Sequence, residues 1–371
     1  MTSLVVAFPG SVIRDATGTR YSMDVKTLDG LHAYRRHWPG RIVLAAPLAP
    51  PELAPGPGER WFGASDGIDV ATGNTLADAV RAAGPPGLVL ASLTPRIGEL
   101  ADVLDRTVLV VEFAPEELTR HDAARQDHLA RLRTRLGGWR RAASMDRLAA
   151  RVRGVQANGH PAFDHFAPLA RSALLFFDTR LTAEHLRLAR ETPRRPPGRR
   201  LRLCFSGRLI AAKGPSFALD VARALGDAAT LVMLGTGEQA AELRWNAPEN
   251  VRFGGHLDFD PDWTRFVREE VDVMLLPHIQ GDPSGTYLEA AGCGIPVLGF
   301  DNVALDSLVR HHGLGWTVPL GDSAALAAAA KRVLAEPDAW AAARSGCLDF
   351  MAEHHFEAEY ARRVAHLLSL S

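Results

Sequence analysis

A carboxylate, a lysine and a loop of small polar residues are the parts of this 371-residue chain whose types and spacing could do chemistry. Glu289 stands three residues after Thr286, one turn into a helix-permissive segment, 286–293. A carboxylate at that place can accept two hydrogen bonds from a vicinal diol such as a ribose. The same spacing fits a capping box over Thr286-Tyr287-Leu288-Glu289, in which the glutamate only reaches back to a backbone N–H. Spacing alone leaves both readings open. The loop 278–285 is rich in Gly, Ser and Asp and runs into the helix start, where free backbone N–H groups make an anion site suited to a phosphate. Lysine occurs only at Lys26, Lys213 and Lys331, and arginine fills nearly every other basic position. The two cations differ as phosphate ligands, so Lys213 stands out.

These residues need a frame to hold them. Residues 271–277 and 295–300 are short apolar runs bounded by Gly and Pro, which predicts two buried parallel strands joined by a crossover helix. Gly294 stops that helix and Pro296 prevents its resumption. The polar loop then lies at the carboxyl end of a strand, where open parallel sheets bind ligands.

The same alternation runs through the first half. Apolar runs at 4–8, 42–47, 88–93, 108–113, 154–157 and 174–177 predict strands, and 24–38 predicts a helix with Leu28, Leu31, Ala33 and Tyr34 available to one face. That rhythm is the mark of a doubly wound α/β domain. Arg14, Asp15, Thr94, Glu112, Asn158 and His160 fall at strand ends and would line its cleft, although each also reads as a solvated or turn-forming loop residue. Residues 119–153 carry ten arginines against three aspartates. Leu129, Leu132, Leu136 and Trp139 recur there at helical spacing, with Gly137-Gly138 as an interruption. Such an element could meet an anionic membrane surface, and it equally fits a solvated face in an arginine-biased protein.

Residues 190–200, RETPRRPPGRR, read as a Pro/Arg linker. Domains are therefore expected at 1–189 and 201–350, with 351–371 as a last helix. In the second half, strands are expected at 201–205, 231–234 and 251–254, and helices at 215–225, 324–334 and 352–368. Gly235-Thr236-Gly237 ends one strand, but Ala240 stands where a dinucleotide fingerprint puts its third glycine, which argues against a dehydrogenase.

Length favours two domains. An apolar share of 47% against 23% charged residues is globular, and a net charge of −1 speaks against a nucleic-acid partner. No apolar run reaches the roughly 18 residues needed to span a bilayer and no signal peptide is evident, so the expected location is cytoplasmic, with peripheral contact at the inner membrane face through 119–153. Cys204, Cys293 and Cys347 are far apart and lack a CxxC pair, so they read as reduced core residues.

Gly207-Arg208 with Lys213-Gly214 downstream, Leu234-Gly235-Thr236-Gly237-Glu238, residues 250–255 (NVRFGG) and residues 288–297 (LEAAGCGIPV) together resemble glycosyltransferase family 4, and residues 316–322 extend the likeness. It covers the second half. The first half is similar only in its rhythm of strands and helices. The resemblance implies a GT-B fold, two Rossmann-like domains facing across a cleft, with the last helix crossing back to the N-terminal one. It implies an N-terminal acceptor domain and a C-terminal donor domain. The implied activity is metal-independent, retaining transfer of a sugar from a nucleotide-diphosphate donor to a hydroxyl of a glycan, lipid-linked or metabolite acceptor, in cell-surface polysaccharide or glycoconjugate synthesis, with no cofactor beyond the co-substrate. By position Arg208 and Lys213 match the diphosphate-binding pair, the backbone N–H groups of Ser284, Gly285 and Thr286 face the same diphosphate, and Glu289 matches the ribose-binding second glutamate. His256 and Leu257 fall where the family contacts the base. The first glutamate position is Gly281, and Asp282 is the nearest carboxylate able to take its catalytic place. That departure keeps two alternatives in view, a nucleotide-sugar-binding protein without turnover and a nucleotide-sugar 2-epimerase. The epimerase would need carboxylates and a histidine for proton transfer beside Glu289, a set the sequence does not offer.

Overall fold

The computed structural model describes residues 3–50, 52–56, 58–117 and 128–371. By its internal contacts the chain divides into two units, Met1–Phe176 with Glu357–Ser371, and Phe177–Phe356.

The first unit is built on seven parallel strands and a three-stranded antiparallel ribbon. In chain order the strands are β1 Leu4–Ala7, β2 Ile13–Arg14, β3 Arg20–Asp24, β4 Ile42–Pro47, β5 Glu59–Gly63, β6 Asp69–Gly73, β7 Leu88–Ser92, β8 Thr107–Val111, β9 Gly154–Asn158 and β10 Ala173–Phe176. The main sheet runs β10-β9-β8-β7-β1-β4-β6, all parallel, and β2-β3-β5 forms the ribbon. Sheet order reverses between β1 and β7. The apolar runs are continuous because helices cover both faces, burying Val5, Val43, Val89 and Leu109. Helix Val25–His37 buries the expected Leu28, Leu31, Ala33 and Tyr34, and starts where the Asp24 carboxylate accepts from the Thr27 N–H.

The second unit holds β11 Leu201–Ser206, β12 Ala229–Leu234, β13 Val251–Gly255, β14 Val273–Leu276, β15 Val297–Phe300 and β16 Gly315–Val318. They form one parallel sheet in the order β13-β12-β11-β14-β15-β16, a doubly wound arrangement that reverses between β11 and β14. Its core gathers Leu203, Phe205, Leu231, Val273 and Leu298 from the strands with Leu219 and Ala330 from the helices. All three cysteines are buried and free of disulfides.

Four expectations are corrected. The unit boundary falls at Phe176, ahead of 190–200, because helix Ala183–Glu191 packs on helices Gly285–Gly292 and Pro337–His354 of the second unit. The linker is itself tied down, for the Arg194 side chain is 4% exposed and donates to Asp272 Oδ1 at 2.8 Å. Proline and arginine exclude a regular element there without excluding packing. Gly137-Gly138 does not interrupt its helix, which runs from His128 to Arg151. Two helical glycines cost about 1 kcal/mol each, and burial of Met145 and Ala149 further along offsets that. Residues 118–127, and the side chains of Leu129, Leu132 and Leu136, lie outside the description, while Trp139 is exposed. Finally, the last helix does not begin at 351 or 352: His355 is extended between helices Pro337–His354 and Phe356–Leu370, and the Phe356 N–H donates to the Leu181 carbonyl at 2.7 Å.

Helix Phe356–Leu370 joins the first unit through polar pairing beneath aromatic rings. Arg363 Nε donates to Gln156 Oε1 at 2.9 Å, Gln156 Nε2 donates to the Arg363 carbonyl at 3.0 Å, and the Arg363 guanidinium lies over Phe176. Gly30 leaves room for the Tyr360 hydroxyl, and the Tyr360 ring meets Tyr34 edge-on at 5.0 Å. Among the described residues no helix is long and apolar enough to cross a membrane.

Candidate functional site

In the second unit the sheet order reverses between β11 and β14, and the loops beyond their carboxyl ends carry the charged residues. β11 ends at Ser206 and passes into Gly207-Arg208, then a single 3-10 turn, Ala211–Lys213. Gly214 follows at φ +64° and caps helix Pro215–Leu225. A side chain there would strike the Pro277 carbonyl at the end of β14, so glycine is needed both for the left-handed backbone and for the close approach of the two strand ends.

This approach places Lys213 under the loop that follows β14. Its ammonium lies 3.1 and 3.3 Å from the two Asp282 oxygens and is buried. Burial lowers the Lys213 pKa; the Asp282 carboxylate opposes that shift and the Arg208 charge adds to it. Asp282 is therefore the lysine's partner. Arg208 is exposed, and among the described residues it makes no ion pair or side-chain hydrogen bond. A buried ammonium with a free guanidinium within reach of its field, at a switch point, is suited to a dianionic ligand.

Helix Gly285–Gly292 begins beside this pair. Its N-cap is Ser284, not Thr286, and no side chain caps it. The amides of Gly285 and Thr286 are first-turn donors outside the helix's own ladder. The helix ends in a Schellman turn, with Gly294 at φ +69° donating to the Ala291 carbonyl and Ile295 to that of Ala290.

Because the helix starts at Ser284, Glu289 is too far along it to complete a capping box, and that reading of its spacing is overturned. The Glu289 carboxylate instead accepts from Arg180 Nε at 2.7 Å and is mostly shielded from solvent. His256 and Leu257 follow β13, with the His256 ring exposed and 3.8 Å from Asp258. The Gly235 N–H donates to the Gly255 carbonyl, linking the ends of β12 and β13.

His278, Tyr287 and Asn302, not singled out from the sequence, form the floor of the loop. Asn302 Nδ2 donates to the Tyr287 hydroxyl and to the His278 carbonyl, both at 3.1 Å, while its Oδ1 caps the next helix at Leu305. Both imidazole nitrogens of His278 are buried without a hydrogen-bond partner among the described residues. Burial, reinforced by the Lys213 charge, pushes this imidazole well below its usual 6.5, so the folded protein keeps it neutral. The unfolded chain takes up that proton as pH falls through 6.5 and the folded chain resists it. Stability is then complete above this pH and declines below it, by up to 1.4 kcal/mol, roughly, per pH unit. In thermal melts between pH 7 and 5, His278→Asn is expected to flatten the decline; an unchanged pH slope would show that the ring is hydrated.

In the first unit, Glu112 and Asn158 extend from the ends of neighbouring β8 and β9, and Asn158 Nδ2 donates to Glu112 Oε2 at 2.6 Å. His160 begins the helix just after them and is buried. Arg14 and Asp15 do not join this group. Arg14 lies in the antiparallel ribbon, exposed. Asp15 closes the turn between β2 and β3: against a desolvation penalty, hydrogen bonds from the Arg20 and Thr19 amides and the Thr17 and Arg20 side chains hold its carboxyl at about 2.

A doubly wound sheet with paired cations and a helix N-terminus at its switch point is the design of a nucleotide-binding α/β domain. Residues 200–336 match the family described as Glycosyl transferases group 1. A phosphatidyl-myo-inositol mannosyltransferase from Mycobacterium leprae (strain TN) is 37% identical over 105 residues, a stretch that spans 27% of this chain and 27% of that relative. Among solved structures, Anabaena HepE in complex with UDP superposes with a TM-score of 0.63 at 17% identity, covering 100% of both chains. WaaG, a glycosyltransferase involved in lipopolysaccharide biosynthesis, gives 0.59 at 11% identity over 98% of this chain and 99% of its own. The fold is of GT-B type, and the match to the Glycosyl transferases group 1 family falls within its second unit.

Proposed function

We propose that the protein is a retaining, metal-independent glycosyltransferase that moves a sugar from a nucleoside-diphosphate donor to a hydroxyl of a glycan, glycolipid or metabolite in glycoconjugate synthesis. The observation that carries this reading is the buried Lys213 ammonium, held by Asp282 at the β11/β14 switch point beside Arg208 and the start of helix Gly285–Gly292. When the bond from the sugar to the diphosphate breaks, negative charge grows on the leaving phosphate. Fixed cations and helix-terminal N–H groups stabilise that charge without reorganising. In this reading Arg208, Lys213 and the amides of Gly285 and Thr286 hold the diphosphate, whereas the Ser284 amide, expected to join them, donates to the Asp282 carbonyl at 2.7 Å; Glu289 holds the ribose diol, and the main chain at His256-Leu257 meets the base. Glu112, Asn158 and His160 are the acceptor-side candidates of the first unit.

The relative's name, a mannosyltransferase, supports sugar transfer, and the UDP of the HepE structure puts uracil first among bases to test. A second reading is donor binding without turnover. It draws on Gly281, where the resemblance leads one to expect a glutamate, and on the engagement of Asp282 with Lys213.

Calorimetric titration with UDP, GDP, ADP and TDP and their sugars separates the outcomes. One nucleotide is expected to bind the wild type and to bind Glu289→Ala at least ~10-fold more weakly, the loss expected for hydrogen bonds to a charged acceptor. Binding of none at saturating concentration would refute the donor site. Binding with neither transfer nor hydrolysis, across a panel of glycan and glycolipid acceptors, would favour the second reading.

A further inference from the structure

Arg180 precedes helix Ala183–Glu191 and is separated from Glu289 by 109 residues of sequence, yet it is that carboxylate's partner. Its guanidinium carbon lies over the Phe259 ring, 3.5 Å from the ring centre. Phe259 stacks on Trp263 at 5.7 Å and 25°, and the Trp263 indole N–H donates to Ser206 Oγ at 2.8 Å, at the end of β11. Arg180 is thus mounted on an aromatic pair fixed to the strand end that also presents Arg208. The His185 ring lies alongside Phe259 at 5.9 Å, with Nδ1 accepting from the Thr182 amide at 3.1 Å.

The pairing is one-sided. Only Nε of Arg180 meets the carboxylate, and only through Oε1. A guanidinium that meant to saturate a carboxylate would use its fork on both oxygens. Here Oε2 is left over, and among the described residues the two terminal nitrogens of Arg180 have no acceptor. A carboxylate clamped by one oxygen, with its rotation stopped, offers the other at a set place and direction.

We propose that Arg180 is a positioning residue for the donor nucleotide: it fixes the Glu289 carboxylate so that the free oxygen accepts from the ribose diol, and so sets the preference for ribonucleotides over 2′-deoxyribonucleotides. The inference rests on the reading that Glu289 receives the ribose. A lysine would not replace it, because an ammonium does not reproduce the planar guanidinium that lies over Phe259.

The test is calorimetric titration of UDP, 2′-deoxy-UDP, GDP and 2′-deoxy-GDP into the wild type, Arg180→Ala, Arg180→Lys and Glu289→Ala. For the base it accepts, the wild type is expected to favour the ribose form by ~10-fold or more, the loss of one hydrogen bond to a charged acceptor. Arg180→Ala and Arg180→Lys are expected to bring that ratio to about 2-fold or less, as Glu289→Ala does. Arg180 is half-exposed, so both variants should fold, and the ratio of two ligands cancels any general weakening of the site. If Glu289→Ala abolishes the preference and both Arg180 variants keep it, the positioning role is overturned while the site stands. Tighter binding by Arg180→Ala would overturn it too, by showing that the arginine blocks the carboxylate. No binding of any nucleotide by the wild type would remove the site and this inference with it.

Discussion

Lys213→Ala is expected to lower the rate of sugar transfer by about 100- to 1000-fold, the usual loss when one fixed donor to a developing oxyanion is removed from a shielded site. The lysine is 8% exposed, its position is set by the Gly214 turn against Pro277, and Asp282 is its partner. A bound diphosphate would offer the ammonium more negative charge than one carboxylate does. Charge on the leaving phosphate grows between ground and transition state, so kcat should fall more than donor affinity. Lys213→Arg should not restore it, because a planar guanidinium fork is not equivalent to the compact, buried ammonium that Asp282 holds there. The check is steady-state kinetics with a thermal melt of each variant. A loss below about 5-fold in a folded Lys213→Ala protein would place the catalytic charge elsewhere, on Arg208 and the helix amides.

Asp272→Ala should be the most damaging single change to the fold of the second unit. Asp272 opens the β14 region at 2% exposure, and its two oxygens serve four donors: Arg194 Nη2 at 2.8 Å, Arg202 Nη2 at 2.8 Å, the Arg202 amide at 2.9 Å and Arg202 Nε at 3.3 Å. Arg194 also donates to the carbonyls of Glu269 and Val271, and burial depresses its pKa against the pull of Asp272. Hydrogen bonding to Asp272 raises that of Arg202. Removing the carboxylate leaves a buried guanidinium without its counter-charge, a change that costs about 3–5 kcal/mol. For a unit of this size the melting midpoint should fall by roughly 6 to 20 °C. Asp272→Asn keeps part of the hydrogen bonding and should fall between. A shift below about 3 °C in Asp272→Ala would show that the main-chain carbonyls alone hold Arg194.

The two doubly wound units were legible because buried parallel strands need unbroken apolar runs, and those runs are local. Helix Pro215–Leu225 starts and stops where Pro215 and the following Gly226 put it. The ribbon β2-β3-β5 and strand β6 escaped detection, since Arg20–Asp24 and Glu59–Gly63 are polar and owe their extended form to each other. A similar limit applies to the division of the chain: composition marks the Pro/Arg stretch, but only packing shows Arg194 anchored on the strand base and helix Ala183–Glu191 belonging to the second unit.

By itself the sequence determined the fold class, the charged residues of the β11 turn and the loop before Gly285, and the glutamate that follows them, because each is written within a few residues of a strand end. Only the tertiary structure decided who meets whom. It joined Lys213 to Asp282 across 69 residues and Glu289 to Arg180 across 109, it rejected the capping box by starting the helix at Ser284, and it left the His278 ring nitrogens buried without a hydrogen-bond partner among the described residues. The physical reason is that propensity and hydrophobic period act over a turn or a strand. A charge's partner is chosen by which loops the sheet order brings to the same end, and that order is a property of the whole domain.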